Sequence, residues 1–264
     1  MCKFFGVSKA GYYKCLNSNK DKDFEALEHI RNIQNKCKQR YGYRRVQITL
    51  ARQGIHYNHK KVLRIMNKYN LLSKIRRKNI YIRASEATHK YENILSQNFS
   101  TKKINEKWLT DISYIITPEG RLYLSVIRDA HDGYIIAYKY STVQSINLVT
   151  DTIKIALAKE RADKTILHSD QGFQYTSREY NKLAVANGIT PSMSRKATPL
   201  DNAPVESFFS IFKTECIYLE KPKTITQAKE LCDEFIDFYN YERLQLKHKS
   251  TPYEVRQKNI LLVG

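Results

Sequence analysis

The spacing of apolar residues changes along the chain and divides it in two. Over 24–40, Leu27, Ile30, Ile33 and Cys37 recur at three- and four-residue steps, the stripe of an amphipathic helix. Tyr41-Gly42-Tyr43-Arg44-Arg45 interrupts the pattern, and Val46 to Arg52 predicts a short second helix closed by Gly54. Asn58 can cap a third helix, with Val62, Ile65, Met66 and Tyr69 on one face and His59, Lys60, Lys61, Arg64 and Lys68 facing outward. From Trp108 the character changes to strands. Trp108–Ile116, Arg121–Asp129 and Tyr134–Tyr140 predict three antiparallel strands, with turns at Pro118-Glu119-Gly120 and Asp132-Gly133. Next come a helix over Ser145–Lys159, a short buried strand over Lys164–Asp170, a helix near 177–187, a strand near 189–194 and helices near 203–218 and 224–240.

Composition sharpens the first half of this picture. The 264 residues carry a formal net charge of +19. Residues 1–100 hold 22 Lys and Arg against 6 Asp and Glu, a net +16, whereas 101–264 hold 23 against 20, a net +3. Solubility does not require such segregation; a polyanion-gripping front does. A short helix, a glycine turn and a basic helix also form the layout that lays a helix in the major groove of DNA. Arg44, Arg45, Lys60, Lys61 and Arg64 are its candidate phosphate or base contacts, and Arg76, Arg77 and Lys78 open a basic stretch suited to DNA phosphates. A solvated basic face is the plainer alternative. No apolar run is long enough to span a membrane, and residues 1–6 lack the apolar core of a secretory signal. Five scattered cysteines without a CxxC pair point to reduced thiols in a cytoplasmic chain.

In the second half, three strands followed by alternating helix and strand is the order of a ribonuclease-H-like α/β domain. That predicts a mixed five-stranded sheet with flanking helices, behind an all-α helix-turn-helix region. Three carboxylates fall where that order would gather them: Asp111 inside the first strand, Asp170 at the end of the fourth, and Glu206 in the first turn of a later helix. A charge within a buried strand is costly without a partner. Attack on a phosphodiester needs a stronger nucleophile and a stabilised leaving oxyanion, which two divalent cations supply together. Carboxylates without His or Cys companions suit Mg2+ or Mn2+ rather than zinc. Taken singly, each acid has a plainer reading: a strand-edge charge for Asp111, a turn or helix cap for Asp170, a helix-dipole partner for Glu206.

The surroundings of these acids decide between the readings. Trp108-Leu-Thr-Asp-Ile-Ser-Tyr-Ile, Leu167-His-Ser-Asp-Gln-Gly-Phe-Gln-Tyr, the run from Met193 to Phe209, Phe212-Lys-Thr-Glu and Tyr239-Asn-Tyr-Glu-Arg with Thr251-Pro252 jointly resemble one family. So do Tyr41-Gly-Tyr-Arg-Arg-Val and Lys60-Lys-Val-Leu-Arg-Ile-Met at the front. That family is the second-reading-frame transposases of two-frame bacterial insertion sequences, within the DDE and retroviral-integrase superfamily. Thirty-five residues separate Asp170 from Glu206, as in its signature. The match departs at His248, where the family usually has leucine.

The resemblance implies that Asp111, Asp170 and Glu206 bind two Mg2+ or Mn2+ ions. These would cut element ends and join the freed 3′-hydroxyls to target DNA. It implies double-stranded DNA as partner, a homo-oligomer bridging two ends, and a bacterial, nucleoid-associated location. It also implies an upstream-frame protein or fusion, since Gly6-Val-Ser-Lys-Ala-Gly-Tyr-Tyr resembles the later half of a helical DNA-binding unit. Arg195, Lys196 and Lys213 are further candidate DNA contacts, Lys213 lying seven residues after Glu206 on the same helix face. His168 fits a packed core position, Asp129 and Asp132 a strand end and a turn, and Asn202 a helix cap. The expected domains are a helical DNA-binding region at 1–72, a basic linker at 73–98, an integrase-like core at 99–240 and a tail at 241–264. A nuclease that does not join, and a DNA-binding regulator without chemistry, are the competing functions.

Overall fold

The computed structural model describes residues 6, 8–17, 23–73, 91–195 and 198–263, arranged in two compact units divided at Arg77. The first unit is helical: α1 (Lys9–Asn17), α2 (Phe24–Lys36), α3 (Tyr43–Arg52) and α4 (His59–Lys68). The last three pack on one another through Ile30, Val46, Leu50, Val62, Ile65 and Met66, none of which is exposed. The Asn58 side chain accepts from Lys60 N at 2.9 Å and caps α4 as the sequence predicts. Gly54, at φ +80°, supplies the left-handed turn after α3. The stripe predicted to run to 40 stops at Lys36, because the chain turns left-handed at Lys38 and Gln39. Buried Gln34 then ties the unit together: its Nε2 donates to Tyr41 O at 2.8 Å and to Leu71 O at 2.6 Å.

The second unit carries the sheet. Its strands are β1 (Lys107–Thr117), β2 (Gly120–Asp129), β3 (Ile135–Ser141), β4 (Thr165–Ser169) and β5 (Ile189–Met193), in the order β3-β2-β1-β4-β5. The first three are antiparallel, while β4 and β5 add parallel to β1. Helices α5 (Ile146–Lys159) and α6 (Arg178–Ala186) connect them and bury one face. Trp108, Ile127 and Leu167 from the sheet meet Val149, Ile153, Tyr180 and Ala184 there in a single apolar cluster. Alternation along β1 turns the other residues to the opposite face, where α7 (Ala203–Phe212) and α9 (Ile225–Asp237) pack. Phe208 and Phe212 of α7 stack in parallel planes and meet Phe235 of α9. These are the predicted elements, within a residue or two at most ends.

The helix expected at 203–218 is more broken. A 3-10 turn (Pro199–Asn202) precedes α7, a π turn (Lys213–Ile217) follows it, and α8 (Tyr218–Glu220) ends it. Residues 91–98, assigned to the linker from sequence, lie against the core: Leu95 is buried, and Ile94 N donates to Ser192 Oγ at 3.1 Å.

Helix α10 (Pro252–Val263) in the expected tail is held by a buried ion cluster. The Arg256 guanidinium donates to Asp132 at 2.7 Å, Glu160 at 3.0 Å and Asn105 at 3.0 Å, and lies 3.4 Å from Asp129. Burial first, then the charge of Asp129, pushes the Asp132 carboxyl up to about 6 despite Arg256. Replacing Arg256 with Leu would strand two buried acids. The expected loss is about 3–5 kcal/mol at pH 7.5. Because Asp132 takes up a proton as pH falls through about 6, the loss shrinks at pH 5. Denaturant melts of both chains at the two pH values check it.

Candidate active site

The ladder between β1 and β4 pairs Lys107 with Ile166, Trp108 with Leu167 and Leu109 with His168. Continued two residues, the same register sets Asp111 beside Asp170. By alternation from Trp108, Asp111 turns to the face of β1 on which α7 packs. Helix α7 begins at this point because its approach is pinned on two sides. Asp201, fully buried, accepts from Arg195 N at 2.8 Å, from the Arg195 guanidinium twice at 3.0 Å, from Asn93 Nδ2 at 2.7 Å and from Gln97 Nε2 at 3.0 Å. These bonds hold the Asp201 carboxyl far below the usual range. Asn202 reaches the strand instead, its Nδ2 donating to Thr110 O at 3.2 Å. It makes no side-chain cap on α7, which corrects the expected role.

Each aspartate is oriented by a backbone donor. Asp111 Oδ1 accepts from Ile112 N at 2.7 Å, and Asp170 Oδ1 from Gly172 N at 2.9 Å. The second bond depends on a glycine: a Cβ at 172 would lie 2.9 Å from that same oxygen. Asp170 is exposed to solvent, whereas Asp111 and Glu206 are half-buried. Burial is the main reason that all three acids have raised pKa values. The negative charge of Asp170 comes next for Asp111 and for Glu206, and Glu206 adds to Asp111 in turn. The three groups therefore share one electrostatic field. Among the described residues, no three His, Cys, Asp or Glu side chains are gathered closely enough to hold a metal ion as they stand. The donor set itself, hard carboxylate oxygens that are partly desolvated and near one another's charge, fits a divalent cation in its chemistry.

Other side chains complete the surroundings. Burial lowers the Lys213 pKa while Asp111 opposes the shift, so this cation faces the acids; its Nζ lies 5.2 Å from the centre of the Tyr114 ring. A π turn begins at Lys213, directly after α7. Tyr175, which sequence reasoning passed over, is buried with its hydroxyl 3.3 Å from Thr110 Oγ1. Its pKa is raised by burial, then by Asp111 and Asp170. Only its place five residues after Asp170 could have drawn attention to it. His168 is a core residue as expected: its ring nitrogens meet Ser192 and Ser194 hydroxyls at 2.9 and 3.1 Å, and burial lowers its pKa to about 4.

The candidate DNA contacts divide by what already engages them. In the helical unit, Lys60 is exposed at the start of α4 and Arg44 is exposed over the Tyr43 ring at 5.7 Å. Lys61 lies 4.2 Å from the Tyr57 ring centre and Arg45 5.9 Å from that of Tyr41. Arg64 is tied to Asp23 by two bonds of 2.8 and 2.7 Å, and Arg195 to Asp201 as above. Arg76, Arg77, Lys78 and Lys196 lie outside the described residues.

Comparison with known proteins places these features. Integrase core domain profiles match residues 101–199 and 187–252, and an HTH-like domain profile matches 21–79. The chain is similar to InsK, ascribed as transposase to insertion sequence IS150 in Escherichia coli K12: 37% identical, over 97% of this chain and 92% of InsK. It is similar to the IS3A transposase InsF of the same organism, 33% identical over 83% of this chain and 79% of InsF. In fold it is similar to a chain of the simian T-cell lymphotropic virus intasome, with a TM-score of 0.53 and 15% identity, over 80% of this chain and 70% of that one.

The shared field has a direct test. Asp170→Asn removes a like charge, so Asp111 and Glu206 should both titrate at lower pH than in the parent chain. Carboxyl 13C shifts followed against pH check this; unchanged midpoints would mean that the acids do not sense one another.

Proposed function

Because the chain belongs to the insertion-sequence transposases that include the IS150 and IS3 enzymes, we propose that it cuts and joins DNA at an acid triad of Asp111, Asp170 and Glu206. The observation that most supports this reading is the convergence just described. The β1–β4 ladder ends two residues before each aspartate, so its register continued would set them side by side, and Asp170 raises the pKa of both Asp111 and Glu206. The three carboxylates would hold Mg2+ or Mn2+, two ions in all, which when bound would polarise the attacking oxygen and stabilise the leaving one.

The chain's own part is positioning and charge. Ile112 N and Gly172 N hold one oxygen of each aspartate, leaving the other free to act as a donor. Glu206 approaches from the first turn of α7. Lys213 offers a positive charge to a phosphate oxygen near the cut, with its ammonium poised between Asp111 and the Tyr114 ring. In the first reaction water attacks the phosphodiester at an element end, its O–P bond forming as the bond to the 3′-oxygen breaks, and a 3′-hydroxyl is freed. In the second, that hydroxyl attacks a target phosphodiester and displaces the target's own 3′-oxygen. Phosphodiester count is unchanged by the second step, so no external energy source is required.

The helical unit would grip the duplex through Arg44, Arg45, Lys60 and Lys61, with Arg76, Arg77, Lys78 and Lys196 as further phosphate contacts. Arg64 and Arg195, already paired with Asp23 and Asp201, would meet phosphate only by sharing those partners. A homo-oligomer bridging two DNA ends, and an upstream-frame partner or fusion, complete the reading. No helix among the described residues is long and apolar enough to cross a membrane.

Asp170→Asn should abolish both cleavage and joining of a labelled pre-cut end into plasmid DNA, with DNA affinity retained. Near-normal joining by that variant would sink the triad, and cleavage without any joining by the parent chain would leave a nuclease. DNA affinity should also fall steeply with salt, with a slope corresponding to about six or more neutralised phosphates. A flat profile in a filter-binding titration would remove the basic front from the grip.

A further inference from the structure

One buried amide beside the acids is half used. Asn202 is 2% exposed, and the carbonyl that it binds belongs to Thr110, the first β1 residue beyond the last β1–β4 pair. A carbonyl oxygen can only accept, so the amide must present Nδ2 to it, and this orientation leaves Oδ1 pointing elsewhere. Among the described residues nothing donates to that Oδ1, although it is sealed from solvent. Other buried polar atoms among the described residues, Gln34 Oε1 and Ser125 Oγ for example, are unpaired too, so what sets Asn202 Oδ1 apart is its place, and an ordered water or ion is one partner that would satisfy it.

The position of the amide indicates that partner. Thr110 immediately precedes Asp111, and Asn202 precedes Glu206 by four residues, about one helical turn. The side chain thus bridges the two elements that carry those acids, at the point where the β1–β4 ladder ends and Asp170 follows. Asp201 next to it is held by Arg195, Asn93 and Gln97, so the Asn202 backbone is not free to drift. A role limited to helix capping is excluded by the lack of any cap bond.

We propose that Asn202 is a positioning residue of the cation site: Nδ2 keeps α7, and with it Glu206, at fixed reach from Asp111, while Oδ1 accepts a hydrogen bond from the hydration shell of the bound divalent ion. The inference rests on the acid-triad reading above. Groups of this outer kind orient the donors that touch the ion, and their loss weakens metal affinity by about 10–100-fold.

The test is Mn2+ binding to the full chain, read from the electron paramagnetic resonance signal of free Mn2+, with thermal melts in EDTA run alongside. Asn202→Ala should bind Mn2+ about 10–100-fold more weakly while still melting cooperatively in EDTA. Asn202→Ser, which keeps a short hydroxyl, should fall between it and the parent chain, and it carries the test if the alanine variant does not fold. Parent-like Mn2+ affinity in either folded variant overturns the proposal, whatever happens to the melting temperature. Asp170→Asn separates the two layers of the argument. If it loses Mn2+ while Asn202→Ala retains it, only the role of Asn202 fails; if it too retains Mn2+, the triad reading fails first.

Discussion

Like charges do not gather unless something else compels them. Asp111, Asp170 and Glu206 each make the ionised form of a neighbour less favourable, and burial works in the same direction. The second unit meets that cost with main-chain geometry. Two of the acids follow directly on the parallel β1–β4 ladder, and two backbone amides at Ile112 and Gly172 fix an oxygen on each. Like charges held near one another in this way lower stability, and under the proposed function a divalent cation would offset that cost.

Helix α7 serves two ends at once, and its two halves use different physics. Its start is polar: Asp201 and Asn202 tie it to the loop after β5, to residues 93–97 and to β1. Its later turns are aromatic, with Phe208 and Phe212 packed against Phe235 and Tyr239. Hydrophobic burial supplies affinity between the helix and the sheet but little direction. The hydrogen bonds at the start supply the direction, and so determine where Glu206 stands relative to Asp111.

Three arginines have structural parts. Arg256 neutralises a buried acid cluster that fastens α10, Arg195 neutralises Asp201 at the start of α7, and Arg64 does the same for Asp23 in the helical unit. The planar guanidinium can satisfy two or three acceptors at once, which a lysine cannot do with the same geometry. A positive charge in a basic protein is thus not by itself a nucleic-acid contact.

Much of this was legible in the chain. Apolar spacing and turn signals placed the five strands and most helices, though not α1 or α10, since amphipathic burial writes itself into spacing. The acids could be picked out because Asp111 interrupts an apolar strand and because motif context surrounds Asp170 and Glu206. Spacing cannot convey which partner a polar group finds when that partner is distant in the chain, as for Arg64 on Asp23, Asn202 on Thr110 and Arg256 on Asp129, 41, 92 and 127 positions apart. Nor could it show that a long helix breaks into a π turn at Lys213, or that Tyr175 lies beneath the acids. Local sequence determined the elements and the kinds of chemistry available; only the packed sheet decided which side chains share a field, since electrostatic coupling depends on distance through space and not along the chain.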